Sequence, residues 1–114
     1  MHGNQLVHTD KELWKPLEEP EVTGIWIKIL RFDKSSARAP TFLLKFEPGA
    51  TYPAHDHPGG EECFVLDGDI HFGADHLHQG DYLFTAPGNK HGVRSDGGCV
   101  VLFSVPQEVQ KLKC

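Results

Sequence analysis

Apolar and polar positions along this chain fall into short runs that Gly, Pro and Asp keep interrupting. The run 24–32, Gly-Ile-Trp-Ile-Lys-Ile-Leu-Arg-Phe, is dense in β-branched and aromatic residues and predicts a strand. Asp33 to Pro40 reads as a loop, and 41–47, Thr-Phe-Leu-Leu-Lys-Phe-Glu, reads as a second strand closed by Pro48-Gly49. Further on, 62–66 predicts a strand, Leu66-Asp67-Gly68-Asp69 a turn of the Asp-Gly type, and 70–72 a short strand returning antiparallel to it. Ala74 to Gly80 holds a second expected turn, 81–85 another strand, and Ala86-Pro87-Gly88-Asn89-Lys90 a tight turn into a strand at 91–94. The last strong strand is 99–105, ended by Pro106. No helical period stands out before the tail, where 107–113 is read as one helical turn, so the pattern implies an all-β sandwich or barrel.

At 114 residues the chain holds one core, with no repeat and no linker. The expected division is an N-terminal arm over 1–21, broken by Pro16 and Pro20 and docked through Trp14, then a barrel over 22–106 and a tail over 107–114. With 11 Lys and Arg against 16 Asp and Glu, the net charge is -5 and the basic residues are scattered. That argues against nucleic acid or an anionic membrane as partner. No apolar run reaches membrane-spanning length and the N-terminus lacks a signal-peptide pattern, so a cytoplasmic protein is expected. The three cysteines, Cys63, Cys99 and Cys114, form no C-x-x-C pair and are read as free thiols, the first two buried in strands.

The chemistry concentrates between Gly49 and Gly68. His55 and His57 are two residues apart in extended chain, so they leave one face of a strand and can converge on one ion. Pro58-Gly59-Gly60 supplies a turn, and a hairpin is expected to fold a carboxylate back beside them. Glu61 and Glu62 compete for that place. If Glu61, Cys63 and Val65 share a face, Glu62 points the other way with Phe64 and Leu66, which favours Glu61.

The order Gly49, His55-x-His57, Glu61, Gly68, followed by Gly80, Pro87, Gly88 and His91, resembles the two motifs of the cupin superfamily. The runs Phe46-Glu-Pro-Gly-Ala and His57-Pro-Gly-Gly-Glu-Glu-Cys-Phe-Val-Leu-Asp-Gly68 look closest to small ChrR-like and dioxygenase-like cupins, over about residues 22–105. The resemblance implies a jelly-roll cupin β-barrel that binds one divalent metal per chain through His55, His57, Glu61 and His91. Imidazoles and a carboxylate suit Fe(II), Zn(II), Mn(II), Ni(II) or Cu(II), and four protein ligands on a six-coordinate ion leave two positions open. Zn(II) could instead take the same ligands as a nearly closed structural site.

The remaining polar candidates have plainer readings. His76-Leu77-His78 is expected in a solvated turn, His71 on a strand surface, His2 and His8 on the arm, and Asp56 pointing away from its histidine neighbours. Tyr52, Tyr82, Phe72, Phe84, Trp26 and Phe103 are candidates to line a cavity, and Arg94 either holds an anionic or carbonyl group or forms a surface ion pair. The favoured function is a non-haem metal-dependent dioxygenase-type enzyme acting on a small organic molecule. The alternatives are a non-catalytic zinc- or ligand-binding module like the ChrR sensor, and a metal-dependent isomerase or hydrolase. Anti-sigma-factor cupins carry a separate helical partner-binding domain, and the stretch of about 20 residues before the barrel shifts the expectation toward the enzyme. A homodimer is expected, since sheet edges are usually covered.

Overall fold

The structure, a computed structural model, describes residues 3–35, 38–106 and 110–111. Among them are ten strands and one short 3-10 turn at Thr9–Lys11. The strands are β1 (Lys15–Pro16), β2 (Ile25–Asp33), β3 (Arg38–Phe46), β4 (Thr51–Asp56), β5 (Glu61–Phe72), β6 (Asp75–His78), β7 (Tyr82–Thr85), β8 (His91–Arg94), β9 (Cys99–Ser104) and β10 (Gln110–Lys111). All pairings are antiparallel and follow the order β1-β2-β3-β9-β5-β8-β4-β10, with β6 and β7 also on β5.

β5 organises the fold. Its first half pairs with β7 and β9, and its second half with β6 and β8. The strand is therefore shared by two sheets that curl toward each other into a half-barrel. The change of sheet follows a register shift between Val65 and Asp67, and Gly68 there has a φ of 81°, a left-handed conformation that favours glycine. A Cβ on Gly68 would also run into the carbonyl oxygen of Gly98, so the close approach of β5 and β9 demands glycine twice over. The expected Asp-Gly hairpin at 66–69 is thus a bulge inside one continuous strand. The ladder to β9 runs through it, pairing Val65 with Val101 and Gly68 with Cys99.

Three further expectations give way to tertiary pairing. The 74–80 segment contains β6, because Leu77 has an apolar seat in the core and Ile70 lies opposite it. The strands on either side of Pro58-Gly59-Gly60 do not pair with each other: β4 lies beside β8 and β10, while β5 enters the other sheet. In the tail, Gln110–Lys111 is a strand paired with His55 and Asp56, and residues 107–109 and 112–114 lie outside the described ones. Near the N-terminus, β1 pairs with the edge of β2, and Trp14 is half-buried and flanked by the ammonium groups of Lys28 and Lys45 at 4.6 and 4.9 Å from its ring centre.

Alternation decides what is buried. Along β5 the burial of Glu61, Cys63 and Val65 alternates with exposed Glu62, Phe64 and Leu66. The core gathers Ile25, Phe46, Val65, Ile70, Phe72, Val101 and Phe103 between the sheets, and the candidate site lies on that same inner face. No helix among the described residues is long and apolar enough to cross a membrane.

Candidate metal centre

His55 lies on β4, His57 follows directly after it, Glu61 opens β5 and His91 opens β8. Two local devices and one long-range ladder bring them together. Extended backbone puts His55 and His57 on one face, with ring centres 4.3 Å apart. The turn that follows is closed by the Gly60 N–H donating to the His57 carbonyl at 3.0 Å, with Gly60 at a φ of 80°, and it delivers Glu61 to the inner face. The β4–β8 ladder places His91 directly opposite His55. One ligand nitrogen from each of His55, His57 and His91 then lies within 4.8 Å of the others. Glu61 stands at the rim of this triangle, its Oε2 3.2 Å from His57 Nε2.

The surroundings bear on what these side chains can hold. His55, His57 and Glu61 are buried, His57 completely, and His91 is half-buried. Neither ring nitrogen of His57 has a hydrogen-bond partner, nor has Nε2 of His91; the Glu61 contact has ion-pair distance without hydrogen-bond angles. Buried polar atoms are normally paired, so unpaired nitrogens on both His57 and His91 in one cluster fit a bound ion, which would take one nitrogen from each ring. The orientation of His55 is compatible with this: its Nδ1 lies 2.9 Å from the Pro53 carbonyl, which can only accept, so Nδ1 carries the proton and Nε2 the lone pair. Burial also lowers the affinity of His55 and His91 for protons, and His57 nearby adds to this by charge repulsion. The residues present therefore fit a divalent transition metal.

A cavity of about 480 Å3 opens beside the cluster, and His55 and Glu61 form part of its wall. Most of the rest is apolar, including Ile27, Phe42, Phe72, Val93 and Phe103. Its polar side is built by Tyr52, Glu19 and Arg38, with the Tyr52 hydroxyl donating to Glu19 Oε1 at 2.6 Å. Burial first, and this hydrogen bond second, raise the Tyr52 hydroxyl above its ordinary pKa. The Tyr52 ring meets His55 edge-on at 5.0 Å, and Phe72 meets His91 in the same way at 5.3 Å.

Of the aromatic residues picked from the sequence, Tyr52, Phe72 and Phe103 line the cavity. Tyr82 and Phe84 lie exposed on the outer face, and Trp26 bonds Glu47 instead, at 2.8 Å. Glu62 faces outward and accepts from Tyr82, Arg94 pairs with Asp96 on the surface, and Asp56 is half-buried with its Oδ1 unpaired. His8 is exposed and His2 lies outside the described residues. Sequence reasoning missed Leu17, Glu19 and Arg38. The first two were assigned to an arm and the third to a loop, and their approach to Tyr52 and the cavity is a long-range contact with no local signature.

The family described as ChrR cupin-like domain matches residues 2–109. The chain belongs to this family. The fold of this cupin is similar to that of the polyketide cyclase RemF from Streptomyces resistomycificus, with a TM-score of 0.81 at 19% identity over 98% of this chain and 87% of that one. It is similar as well to an acetylacetone dioxygenase from Acinetobacter johnsonii, with a TM-score of 0.85 at 15% identity over 99% of this chain and 80% of that one. The anti-sigma ChrR of Rhodobacter sphaeroides, solved in complex with SigE, gives 0.68 at 22% identity over 84% of this chain and 49% of that one. No curated protein matches the sequence.

Proposed function

We propose that this cupin is a metal-dependent dioxygenase-type oxidoreductase acting on a small molecule with an apolar body and neighbouring oxygen atoms. The observation that carries the reading is the cluster of His55, His57, Glu61 and His91, which opens through His55 and Glu61 onto a largely apolar cavity. A divalent ion such as Fe(II), held by these four residues, would supply the redox and Lewis-acid chemistry. Every other task falls to the chain. The Pro53 carbonyl fixes the His55 tautomer, and burial keeps the His55 and His91 imidazoles neutral at physiological pH. Phe42, Phe72 and Phe103 exclude water from the substrate's apolar body. Tyr52, Glu19 and Arg38 orient its polar end.

The division into an arm over 1–21, a barrel over 22–106 and a tail over 107–114 belongs to the same proposal, the arm covering the cavity through Leu17 and Glu19. So does a homodimer. The exposed Phe64, Leu66, Tyr82 and Phe84 on the outer face of β5 and β7 support it, and size-exclusion chromatography with light scattering tests it.

The function itself is tested by anaerobic loading with Fe(II), followed by oxygen-uptake assays on a panel of diketones and hydroxyaryl ketones. Uptake that depends on substrate and disappears in His57→Ala is expected. A fully loaded protein that consumes no oxygen with any member of the panel overturns the proposal. Membership of the ChrR-like family supports a second reading, a zinc-binding module without catalysis. Elemental analysis of protein purified without chelator separates the two: iron favours the oxidoreductase, and zinc without oxygen uptake favours the module. A metal-dependent isomerase or hydrolase would convert panel members without consuming oxygen.

A further inference from the structure

On the face of β5 and β6 that points away from the core lies a second group of potential ligands. Ile70, Phe72 and Leu77 turn inward, so Asp69, His71, His76 and His78 turn outward by alternation. The register sets His71 opposite His76 and Asp69 opposite His78. The His71 and His76 rings stack at 3.7 Å with 9° between their planes, and both present Nε2 to the same atom, Asp69 Oδ2, at 3.9 and 2.9 Å. One ligand atom from each of the three residues falls within 4.8 Å of the other two.

We propose that Asp69, His71 and His76 form a second, outward-facing binding site for a divalent transition-metal ion of the Zn(II), Ni(II) or Cu(II) kind. Two imidazoles with one carboxylate favour these ions over Mg(II) or Ca(II), which prefer all-oxygen shells. The carboxylate is held in place. The Gly97 N–H donates to Asp69 Oδ1 at 3.0 Å and the Ser95 hydroxyl to the Asp69 carbonyl at 2.6 Å, which leaves Oδ2 for the rings. Such supporting bonds are what orient metal ligands in known sites. Asp96 Oδ2, 3.0 Å from His71 Nε2, is placed to add a fourth ligand.

Without metal, each ring–carboxylate contact is a hydrogen bond from the Nε2–H tautomer, and both rings turn that nitrogen toward carboxylate oxygen. One divalent ion bound to the two Nε2 atoms and the carboxylate takes the place of both protons. The terminal torsion of histidine is soft, so the rings can tilt from parallel toward a shared ion without leaving their rotamers. Access is open, since His71, Asp69 and His76 side chains are 15, 18 and 39% exposed, and a shallow groove borders His71 and Arg94. The site spans β5, β6 and the loop after β8, so an ion there would tie three segments of one sheet together.

The test is equilibrium dialysis of chelator-stripped full-length protein against micromolar Zn(II), with ions per chain counted by elemental analysis. Wild type is expected to bind about two ions, and His76→Gln and His57→Ala about one each. The glutamine keeps a hydrogen bond to Asp69 but offers no imidazole. In His57→Ala, or in His91→Ala should that variant fail to fold, adding Zn(II) is expected to shift the ring resonances of His71 and His76 by NMR. A His76→Gln protein that binds as many ions as wild type, or His71 and His76 resonances unmoved by Zn(II), overturns the proposal. The inner centre fails separately: an ion count unchanged in His57→Ala and lowered in His76→Gln leaves the outer site standing alone.

Discussion

Replacing His57 by Leu separates a histidine built for an ion from one built for packing. His57 has no exposed surface and neither of its ring nitrogens has a hydrogen bond. A buried polar group left unpaired costs about 1–3 kcal/mol, so the metal-free protein carries a penalty of that order which an apolar side chain of similar size removes. Against this, Glu61 loses a 3.2 Å contact inside the core, which offsets part of the gain. The expected result in chelator is a variant equal to wild type or up to about 2 kcal/mol more stable. With ion at a hundredfold excess over its Kd, the inner centre adds about 2.7 kcal/mol to protein carrying His57 and close to nothing to the variant, so, with His76→Gln in both proteins to silence the outer site, the order of stability reverses. Urea denaturation followed by circular dichroism, with chelator and with Zn(II), measures both quantities. Glu61→Gln is the control that isolates the lost contact. If His57→Leu gains as much from the ion as wild type, or is destabilised by several kcal/mol in chelator, His57 is a packing residue and the centre is misassigned.

Three other outcomes follow from particular contacts. Gly68→Ala should lose more than about 2 kcal/mol in urea denaturation, since the left-handed conformation alone costs about 1–2 kcal/mol and the new methyl group also forces β5 away from Gly98. Gly49→Ala, with a φ of 85° and open space around it, should pay only the conformational part, and equal losses would refute the collision. Because burial holds His55 and His91 below the ordinary 6.5, the unfolded chain takes up protons there before the folded one does; metal-free stability is therefore full above about pH 6.5 and falls as pH drops below it. Denaturation curves between pH 7.5 and 5 that are flat or rise on acidification would refute this. Burial pushes the Cys63 and Cys99 thiols up to about 12 and about 11, so in Cys114→Ser protein a disulfide reagent at pH 8 should label neither until urea is added.

What could be read without tertiary structure was whatever one strand or one turn decides. The two-residue period put His55 and His57 on one face and chose Glu61 over Glu62, and the buried–exposed alternation from Glu61 to Leu66 follows that period residue by residue until the bulge breaks it. Composition and turn residues were enough for an all-β chain, because they reflect local backbone preferences. Misreadings arose where a local signal had two tertiary uses. Asp67-Gly68 carries the chemistry of a hairpin, yet β9 pairs on both sides of it, and glycine serves there as a bulge that passes one strand between two sheets. His76-Leu77-His78 looked like a solvated turn because only the core seat of Leu77 makes it a strand.

Pairing across the chain belonged to the tertiary structure alone. His91 faces His55 because β4 and β8 share a ladder, a fact that 35 intervening positions conceal, since the ladder forms between segments with no local signal in common. Glu19 reaches Tyr52 for the same reason, and Arg38 enters the cavity because β3 begins earlier than its sequence pattern suggested. Side-chain direction is set locally by backbone geometry, so the sequence determined which residues share a face. Which faces meet is a property of the way the two sheets curl together, and that decided the neighbours of every residue in the candidate centre.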